Sequence, residues 1–439
     1  MSGIQARAAA TLDGNPVEPG FPLGVGDELG EGGGVGSTGS GITTLEELRG
    51  LLSRQLRNGA FRFRAAEASN TIDGRSVART QLTRFMTPIV IQAGDQSYEA
   101  LIGSRLLEKA GPFLSQKFSG PDCAIVSDEN VAARFAETLV RSLTSVGFKP
   151  TLVTIPPGEK SKTLGEVEAI CNRMSDAGLD RSSFLVALGG GVVGDLTGFV
   201  AAIYHRGIPY VQMPTTLLAQ VDSSIGGKTA VNIAAGKNLI GAWHRPALVI
   251  ADTDTLATLP SRERRQAFAE IIKHAIIRDA EMFEMLQHFD GKDLVALVRR
   301  NIAIKATIVA ADERETKGER ALLNFGHTVG HAIERAGDLL DFLHGEAVSL
   351  GMVAACEISV RKAGLAETER DRILSTLRAF DLPTRLPADF PREKILGAIR
   401  FDKKFERQEV RFVVTPAIGS ARLATDVTMK DISNAIAQL

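Results

Sequence analysis

Histidine and acidic residues whose spacing suits a metal ion are concentrated in the second half of the sequence. Three of the seven histidines, His327, His331 and His344, fall within 18 residues, and a helix would place the first two, four apart, on one face. Glu270 and Lys273, three apart, would share a helical face in the same way. A carboxylate and two imidazoles with one open position are a common ligand set for catalytic zinc. Spacing therefore favours His327 and His331 as the ligand pair, completed by His344 or Glu270, although each histidine alone could be structural.

A glycine-rich turn in the first half has the pattern of a nucleotide-binding loop. Residues 184–195, FLVALGGGVVGD, run from an apolar strand into Gly189, Gly191 and Gly194, which match G-x-G-x-x-G before a predicted helix. Glycines let the backbone approach a pyrophosphate, and the helix N-terminus then faces the anion. The ribose-binding acid of the ordinary dinucleotide fold is missing about 20 residues further on, since the next acid is Asp222. The turn therefore indicates either an unusual NAD site or a turn required only for packing.

Other polar residues at predicted strand ends are candidates for holding the ribose and adenine. Asp128 and Asn130 follow the predicted strand at 124–126, and Glu159 and Lys162 lie in the turn after the next strand. Ligands of open parallel sheets bind outside the carboxyl ends of the strands, which is where both pairs fall. For the second pair, a solvated surface turn is the alternative.

Fixed positive charges accompany these segments, although the whole chain carries a formal net charge of only −1. A single lysine is ordinarily a solvated surface residue. Lys228 and Lys237, however, interrupt an apolar, glycine-rich segment at 219–241, where a charge needs a partner. A phosphorylated, carboxylated substrate would supply one, and Asp222 is the acid of interest in the same segment. The candidate anion-binding cations are Arg206, Lys228, Lys237, Lys273, Lys305, Arg320 and the pair Lys403 and Lys404.

Alternating strands and helices must position these residues in the first half of the chain. Short apolar runs predict strands, and helical patterns lie between several of them, at 132–146 and 164–177. Such alternation implies βαβ units and a parallel sheet. The predicted strands are 89–91, 124–126, 151–155, 184–188, 210–213 and 248–250.

Helical patterns dominate after Pro260, where only 411–415 looks like a strand. We therefore expect an α/β NAD-binding domain with a Rossmann-like parallel sheet over residues 87–260 and a mainly α-helical metal- and substrate-binding domain over 261–439. A ligand cleft would lie between them. The predicted helices of the second domain are 262–277, 292–311, 328–336, 346–363 and 367–379.

Residues 1–86 differ from the rest and are predicted to form a partly disordered N-terminal extension. Residues 14–41 hold 11 glycines and no lysine or arginine, so this stretch cannot bury enough apolar surface to offset the entropy of ordering. Thr44 and Glu47 then form a capping-box pattern for one short amphipathic helix.

The composition excludes several classes of protein. A net charge of −1 supplies no field that would attract nucleic acid or an anionic membrane. No apolar run reaches the about 18–20 residues of a membrane-spanning helix, and the N-terminus lacks a secretory or transit pattern. The three cysteines lie far apart without metal-ligand spacing, which fits a reducing compartment. We expect a cytoplasmic protein that binds neither nucleic acid nor membrane.

A series of long motifs resembles the 3-dehydroquinate synthase family, and the motifs follow that family's order. They are GGGVVGDLTGF, YHRGIPYVQMPTTLLAQVDSSIGGKTAVN, GKNLIGAW, FAEIIKHAII, ERALLNFGHTVGHAIE, LHGEAV and FDKK. The resemblance covers about residue 87 to the end and leaves the N-terminal 86 residues outside it. So many long motifs in one order make chance similarity negligible.

The resemblance implies an enzyme of the shikimate pathway that converts 3-deoxy-D-arabino-heptulosonate 7-phosphate to 3-dehydroquinate and phosphate. It implies NAD and a divalent metal, zinc or cobalt, as cofactors, and a homodimer in which Arg206 reaches the site across the subunit interface. Glu270, His327 and His344 would be the metal ligands in place of the pair that spacing favours. His331 would then contact the substrate or its phosphate.

Two larger sets of residues follow from the resemblance alone. Those expected around the substrate are Arg206, Asp222, Lys228, Lys237, Asn238, Lys273, Lys305, Arg320, Asn324, His331 and one or both of Lys403 and Lys404. Those expected around NAD are Asp128, Asn130, Glu159, Lys162, Gly190, Gly191, Val192, Asp195, Thr215, Thr216 and Thr258, with Asp222, Lys228 and Lys237 shared between the two sets.

Two positions depart from the family pattern without removing a matched residue. His274 follows Lys273 where many relatives carry tyrosine, and the loop at 315–320 is about one residue longer than usual.

Three other functions compete with this interpretation. One is a sibling cyclase acting on sedoheptulose 7-phosphate or glucose 6-phosphate, which the motifs at 222–228 and 324–331 disfavour. Another is an NAD- and metal-dependent polyol dehydrogenase, which would not need so many anion-binding cations. The third is a catalytically silent binding protein, which the presence of Glu270, His327, His344 and Lys228 disfavours.

Overall fold

The computed structural model describes residues 87–337, 342–400 and 411–439. The predictions for residues 1–86, including the short helix after Thr44, lie outside the described residues, as do Lys403 and Lys404. The domain boundary at residue 260 is not tested by the described fold and stays a prediction.

Eleven strands occur in the described part of the chain, seven of them in one sheet. These seven are β1 (Ile89–Ala93), β2 (Gln96–Gly103), β3 (Asp122–Asp128), β4 (Lys149–Ile155), β5 (Phe184–Gly189), β6 (Tyr210–Pro214) and β9 (Leu248–Asp252). Two hairpins contain the others, β7 (Lys228–Ile233) with β8 (Gly236–Trp243) and β10 (Phe412–Ala417) with β11 (Ser420–Ala424).

The large sheet has the order β1-β2-β9-β6-β5-β3-β4. Only the edge pair β1 and β2 is antiparallel, and the remaining neighbours are parallel. The interior strand β5 is buried at every residue, because helices cover both faces of a parallel sheet. Leu185 and Ala187 belong to the core on one face, and Val186 and Leu188 to the core on the other. The predicted α/β parallel sheet is confirmed.

Thirteen α-helices complete the described chain. They are α1 (Ala110–Leu114), α2 (Glu129–Val131), α3 (Glu137–Thr144), α4 (Leu164–Asp176), α5 (Gly191–Ile203), α6 (Ser261–Arg278), α7 (Ala280–Leu286), α8 (Leu294–Ala311), α9 (His327–Ala336), α10 (His344–Lys362), α11 (Glu367–Ala379), α12 (Arg392–Arg400) and α13 (Met429–Ile436). The helical second half is confirmed as well. No described helix is long and apolar enough to cross a membrane.

Close helix contacts in the second half bring distant residues together. A Cβ atom on Gly345 would lie 1.9 Å from the carbonyl oxygen of Gln266, and one on Gly351 would lie 1.9 Å from that of Gly326. Glycine is therefore required where α10 crosses α6 and the start of α9. These contacts place the first residues of α9 and α10 beside the middle of α6.

The fold contains strands that the sequence did not predict, namely β2 in the large sheet and strands in two further hairpins. A single strand was expected after residue 260, which is wrong: Gly419, at φ 88°, turns the chain so that β11 pairs with β10. The segment at 219–241 gave no strand signal because its glycines and lysines interrupt the apolar pattern, yet it contains β7 and most of β8.

Candidate active site

Three residues from α6, α9 and α10 form a group that could hold a metal ion. One ligand atom from each of Glu270, His327 and His344 lies within 4.8 Å of the others. Oε1 of Glu270 is 3.4 Å from Nε2 of His327 and 3.5 Å from Nε2 of His344. This oxygen is buried and has no hydrogen-bond partner among the described residues. A carboxylate oxygen facing two imidazole nitrogens fits a divalent cation with an open coordination position.

The protonation states of Glu270 and His327 suit a cation, which needs deprotonated ligands. Burial lowers the pKa of His327 well below its usual range. Burial opposes ionisation of Glu270, but Lys273 holds its pKa well below the usual range, and Nζ of Lys273 donates a hydrogen bond to Oε2. The other carboxylate oxygen of Glu270, Oε1, therefore remains available to share a cation with the two imidazoles.

Neighbouring groups orient both imidazoles. Nδ1 of His327 lies 3.2 Å from the carbonyl oxygen of Phe325. When Nδ1 carries the proton, it donates to that carbonyl and turns the lone pair of Nε2 towards Glu270. Nδ1 of His344 lies 3.7 Å from Oε1 of Glu334. Burial acts to lower the pKa of His344, but Glu270 and Glu334 together raise it to about 10, so a cation must displace a proton there.

His331 belongs to a different group from the one that spacing favoured. It joins Glu334 and His344 within 4.8 Å, and its ring centroid lies 5.1 Å from that of His327. No group of candidate ligand atoms among the described residues pairs His327 with His331. His327 and His331 share one helical face and their rings lie close together, but their ligand atoms belong to different candidate metal-binding groups.

A cleft of about 1270 Å³ opens at the carboxyl ends of the strands, beside the helices. Of the residues expected around NAD, only Lys228 does not line it. Those that do are Asp128, Asn130, Glu159, Lys162, Gly190, Gly191, Val192, Asp195, Thr215, Thr216, Asp222, Lys237 and Thr258. Asn238, His331 and His344 line the same cleft.

The glycines of the glycine-rich turn have two roles: one allows close packing of a helix on the sheet, and the others line the cleft. A Cβ on Gly194 would lie 2.7 Å from Oε1 of Gln212, so this glycine lets α5 approach β6. Gly190 and Gly191 instead line the cleft at the N-terminus of α5, where backbone N–H groups suit an anion. Nearby, the buried Oγ1 of Thr215 has no hydrogen-bond partner among the described residues. A dinucleotide pyrophosphate fits this arrangement.

A buried lysine connects the glycine-rich helix to the β7–β8 hairpin. Nζ of Lys162 lies 2.5 Å from Oδ2 of Asp195 and 2.6 Å from Oδ1 of Asn238. Asn238 is held with φ 56°, and its backbone N–H donates to Oδ1 of Asn232. Residues expected to contact NAD and residues expected to contact substrate are therefore joined by direct hydrogen bonds.

Lys228 and Lys237 have protein partners, although the sequence suggested that a substrate would have to supply them. Nζ of Lys228 lies 2.5 Å from Oε2 of Glu315, and Nζ of Lys237 lies 3.3 Å from Oε1 of Glu334. Oε1 of Glu315 also accepts a hydrogen bond from Asn324. Sequence reasoning missed Glu315 as a site residue, since it lies 87 positions from Lys228 in a loop without periodic signal.

Lys305 and Asp222, both expected around the substrate, are hydrogen-bonded to each other. Nζ of Lys305 donates to Oδ1 of Asp222 at 2.7 Å and to its carbonyl oxygen at 2.6 Å. Burial opposes ionisation of Asp222, but Lys305 holds its pKa below the usual range. His274 packs behind this pair with Nε2 3.8 Å from Oδ1 of Asp222 and Nδ1 3.1 Å from Oδ1 of Asn301.

Arg206 is the described candidate that lies apart from the others. It is exposed in the turn after α5, with φ 69°, and it does not line the cleft. Other candidates also lie outside the cleft lining, namely Lys228, Glu270, Lys273, Lys305, Arg320, Asn324 and His327. Each of these contacts another residue of the site, whereas Arg206 makes no such contact with the described residues.

Comparisons with known proteins give the class. A 2-deoxy-scyllo-inosose synthase complexed with carbaglucose-6-phosphate, NAD⁺ and Co²⁺ aligns with a TM-score of 0.73 and 25% identity, covering 80% of this chain and 100% of that one. A 2-epi-5-epi-valiolone synthase from Streptomyces hygroscopicus with NAD⁺ and Zn²⁺ bound aligns with a TM-score of 0.72 and 30% identity, covering 80% of this chain and 98% of that one. A probable glycerol dehydrogenase from Sinorhizobium meliloti shares the fold, with a TM-score of 0.55 and 16% identity. Fold and cleft together are those of a sugar-phosphate cyclase.

The sequence matches are more specific. The family described as 3-dehydroquinate synthase N-terminal matches residues 152–266, and its C-terminal counterpart matches residues 267–405. The 3-dehydroquinate synthase of Desulforamulus reducens is 42% identical over 360 residues, 80% of this chain and 100% of that protein. The 3-dehydroquinate synthase of Acidithiobacillus ferrooxidans is 46% identical over 350 residues, which are 78% of this chain and 95% of that protein. The chain belongs to the 3-dehydroquinate synthase family.

Proposed function

We propose that this chain converts 3-deoxy-D-arabino-heptulosonate 7-phosphate to 3-dehydroquinate and phosphate, with NAD and a divalent metal, zinc or cobalt, as cofactors. The observation that carries the proposal is that His344, of the carboxylate–imidazole group, lines the same cleft as Gly190 and Gly191 of the glycine-rich turn. A metal-polarised alcohol and a dinucleotide could therefore meet in one cleft. Relatives of that activity, 40–46% identical over most of the chain, support the substrate.

Glu270, His327 and His344 would hold the metal, which when bound supplies a Lewis acid for the hydroxyl that is oxidised. Gly190, Gly191 and the N-terminus of α5 would hold the pyrophosphate of NAD, which when bound accepts a hydride and later returns it. NAD is therefore needed only in catalytic amount.

The chain's own cations would bind the substrate and stabilise the phosphate as it leaves. Lys237, Lys228 and Arg320 lie on or beside the β7–β8 hairpin, and cations fixed before the reaction lower the energy of the charge that develops on a leaving phosphate. Glu334 and Glu315 hold the two lysines in place. The leaving phosphate can itself accept the adjacent proton, so this proposal assigns no protein base.

Two sibling activities remain as alternatives that experiment can separate. Cyclases acting on sedoheptulose 7-phosphate or glucose 6-phosphate would share the fold, as the 2-epi-5-epi-valiolone and 2-deoxy-scyllo-inosose synthases do at 25–30% identity. The higher identity to 3-dehydroquinate synthases favours the heptulosonate. A polyol dehydrogenase would instead give net NADH.

The test is phosphate release from 3-deoxy-D-arabino-heptulosonate 7-phosphate with catalytic NAD. Release should require NAD, stop with chelator and return with zinc or cobalt. Absence of release by metal-loaded enzyme would refute the proposal, and sedoheptulose 7-phosphate and glucose 6-phosphate assayed in parallel would identify a sibling activity. Stoichiometric NADH from a plain polyol would indicate the dehydrogenase.

The enzyme would work in the cytoplasm as a homodimer, with Arg206 entering the site of the partner subunit. Its exposed position away from the cleft of its own chain supports this arrangement. Mixing two inactive variants, Arg206→Ala and Lys273→Ala, should then restore about a quarter of the activity, since one site in a mixed dimer carries neither substitution. Mixed dimers without activity would refute an action across the interface.

A further inference from the structure

The single tryptophan of the chain lies beside two cations of the candidate substrate region. Trp243 is the register partner of Lys228 in the antiparallel β7–β8 hairpin, so both side chains emerge on the same face. Nζ of Lys228 lies 5.4 Å from the centroid of the indole ring, and Cζ of Arg320 lies 4.9 Å from it. Both distances are within the about 6 Å over which a cation is attracted to an aromatic face.

The guanidinium of Arg320 is held by groups that do not neutralise it. Its NH1 group donates to the carbonyl oxygen of Glu313 at 2.5 Å, and its NH2 group to that of Gly226 at 3.2 Å. Within the described residues no carboxylate lies within ion-pair distance of this buried arginine. The two carbonyl oxygens accept hydrogen bonds from part of the guanidinium, and the ring of Trp243 lies beside the same group. The remaining N–H groups of Arg320 can therefore donate to an oxyanion.

Trp243 is 43% exposed. A single exposed aromatic residue needs no special explanation, but the two cations beside this ring place it among the groups expected to bind the substrate. The ring limits where the flexible side chain of Lys228 and the fork of Arg320 can move without adding a negative charge. Glu315 already holds Nζ of Lys228 at 2.5 Å, so the ring is above all the neutral contact of Arg320, beside which a further carboxylate would compete with an anionic substrate.

We propose that Trp243 is a positioning residue that holds Lys228 and Arg320 for an oxyanion of the substrate, its phosphate or its carboxylate. The proposal rests on the proposed function for the identity of the substrate, but not for the existence of the oxyanion subsite. Because no other tryptophan is present, the fluorescence of the protein reports directly on that subsite.

The first test uses the NAD- and metal-loaded enzyme without turnover. Inorganic phosphate and acetate are titrated separately at constant ionic strength while tryptophan emission is recorded. A saturable change with one of them, lost in Lys228→Met and Arg320→Met, is expected and identifies which oxyanion binds. Emission that neither anion changes, or that changes equally in both variants, overturns the proposal. The result does not depend on whether the heptulosonate is the substrate.

The second test separates positioning from structure. Trp243→Leu removes the aromatic face, and the KM for the substrate should rise about 3- to 10-fold, with the KM for NAD unchanged. Trp243→Phe retains a ring and should restore most of the affinity. Ile233→Ala, at an exposed apolar residue of the same hairpin, is the matched control and should leave both KM values unchanged.

An unchanged substrate KM in Trp243→Leu overturns the proposal, as does an equal loss in Trp243→Phe and Trp243→Leu. Thermal unfolding and gel filtration of each variant distinguish these results from a loss of fold or assembly. If Trp243→Leu alters only the elution volume or the unfolding temperature, the ring is structural and the proposal fails.

Discussion

Oε1 of Glu270 lies 3.4 Å from Nε2 of His327, and this buried oxygen accepts no hydrogen bond from any described residue. An orphaned buried acceptor is costly in a folded protein. The second carboxylate oxygen is satisfied by Lys273, so the free energy cost falls on the one atom that faces the imidazoles. A divalent cation bound by this group would remove that cost, and we therefore expect the protein to be more stable when the site is loaded.

Glu270→Gln should abolish metal binding and reduce kcat/KM at least about 100-fold. The amide preserves the volume but removes the negative charge that a divalent cation requires. Metal content after dialysis and initial rates of phosphate release measure the two effects. Glu281→Gln, at a side chain that is 87% exposed, is the matched control and should retain full metal content. A stoichiometric metal in Glu270→Gln would contradict the assignment.

Glu334→Gln should weaken metal binding without abolishing it. Glu334 lies 3.7 Å from Nδ1 of His344 and 3.3 Å from Nζ of Lys237, and loss of such a carboxylate behind a ligating imidazole typically costs 10–100-fold in affinity. Competition with a chelator of known affinity measures the change. Glu137→Gln, at an exposed carboxylate, should leave affinity unaltered. An unchanged metal affinity in Glu334→Gln would show that Glu334 does not orient His344.

Local sequence patterns predicted the elements of the fold better than they predicted the site. The continuous apolar run of β5 and the helical period of α10 are properties of neighbouring residues, and both were predicted correctly. The group of Glu270, His327 and His344 spans 75 residues and depends on how three helices cross. Spacing alone therefore favoured His331, which is near in sequence, and only the family resemblance indicated the group that the fold assembles.

Two further residues of the candidate site could not be predicted from local sequence patterns either. Glu315 and Trp243 contact Lys228, but neither lies in a segment whose period or composition marks it. The β7–β8 hairpin that carries Trp243 was itself missed, because glycines and lysines interrupt its apolar alternation. Contacts made through tertiary structure leave no signal in the spacing of a single sequence.

Gly226→Ala should raise the KM for substrate about tenfold while the protein stays folded. A Cβ there would lie 2.5 Å from NH2 of Arg320, so the guanidinium must move, and small displacements of binding groups are costly. Gly226 also has φ 105°, where alanine costs about 1–3 kcal/mol of stability. Substrate kinetics and urea unfolding measure the two effects.

Gly291→Ala is the control that separates backbone strain from the displacement of Arg320. Gly291 has φ 82° but no atom within 4 Å of an added Cβ. It should lose a similar amount of stability and keep the wild-type KM. Equal KM values in the two variants would show that Arg320 does not depend on Gly226.

His274→Tyr should reduce the dependence of stability on pH in mildly acidic solution. Burial, reinforced by Lys273, lowers the pKa of His274 to about 4, whereas an unfolded histidine has a pKa of about 6.5. Between these values the unfolded chain binds the proton and the folded chain does not, so unfolding becomes more favourable as the pH falls. The contribution reaches about 3 kcal/mol at the lower end of this window and is absent above about pH 7.

The measurement is the free energy of unfolding in urea at several pH values between 4.5 and 7.5. The wild-type protein should lose stability more steeply towards low pH than His274→Tyr, because tyrosine does not titrate in this range. His288→Tyr, at an exposed histidine, should keep the wild-type slope. Parallel curves for the wild type and His274→Tyr would show that His274 takes up a proton in the folded state, and that burial and Lys273 do not keep it neutral.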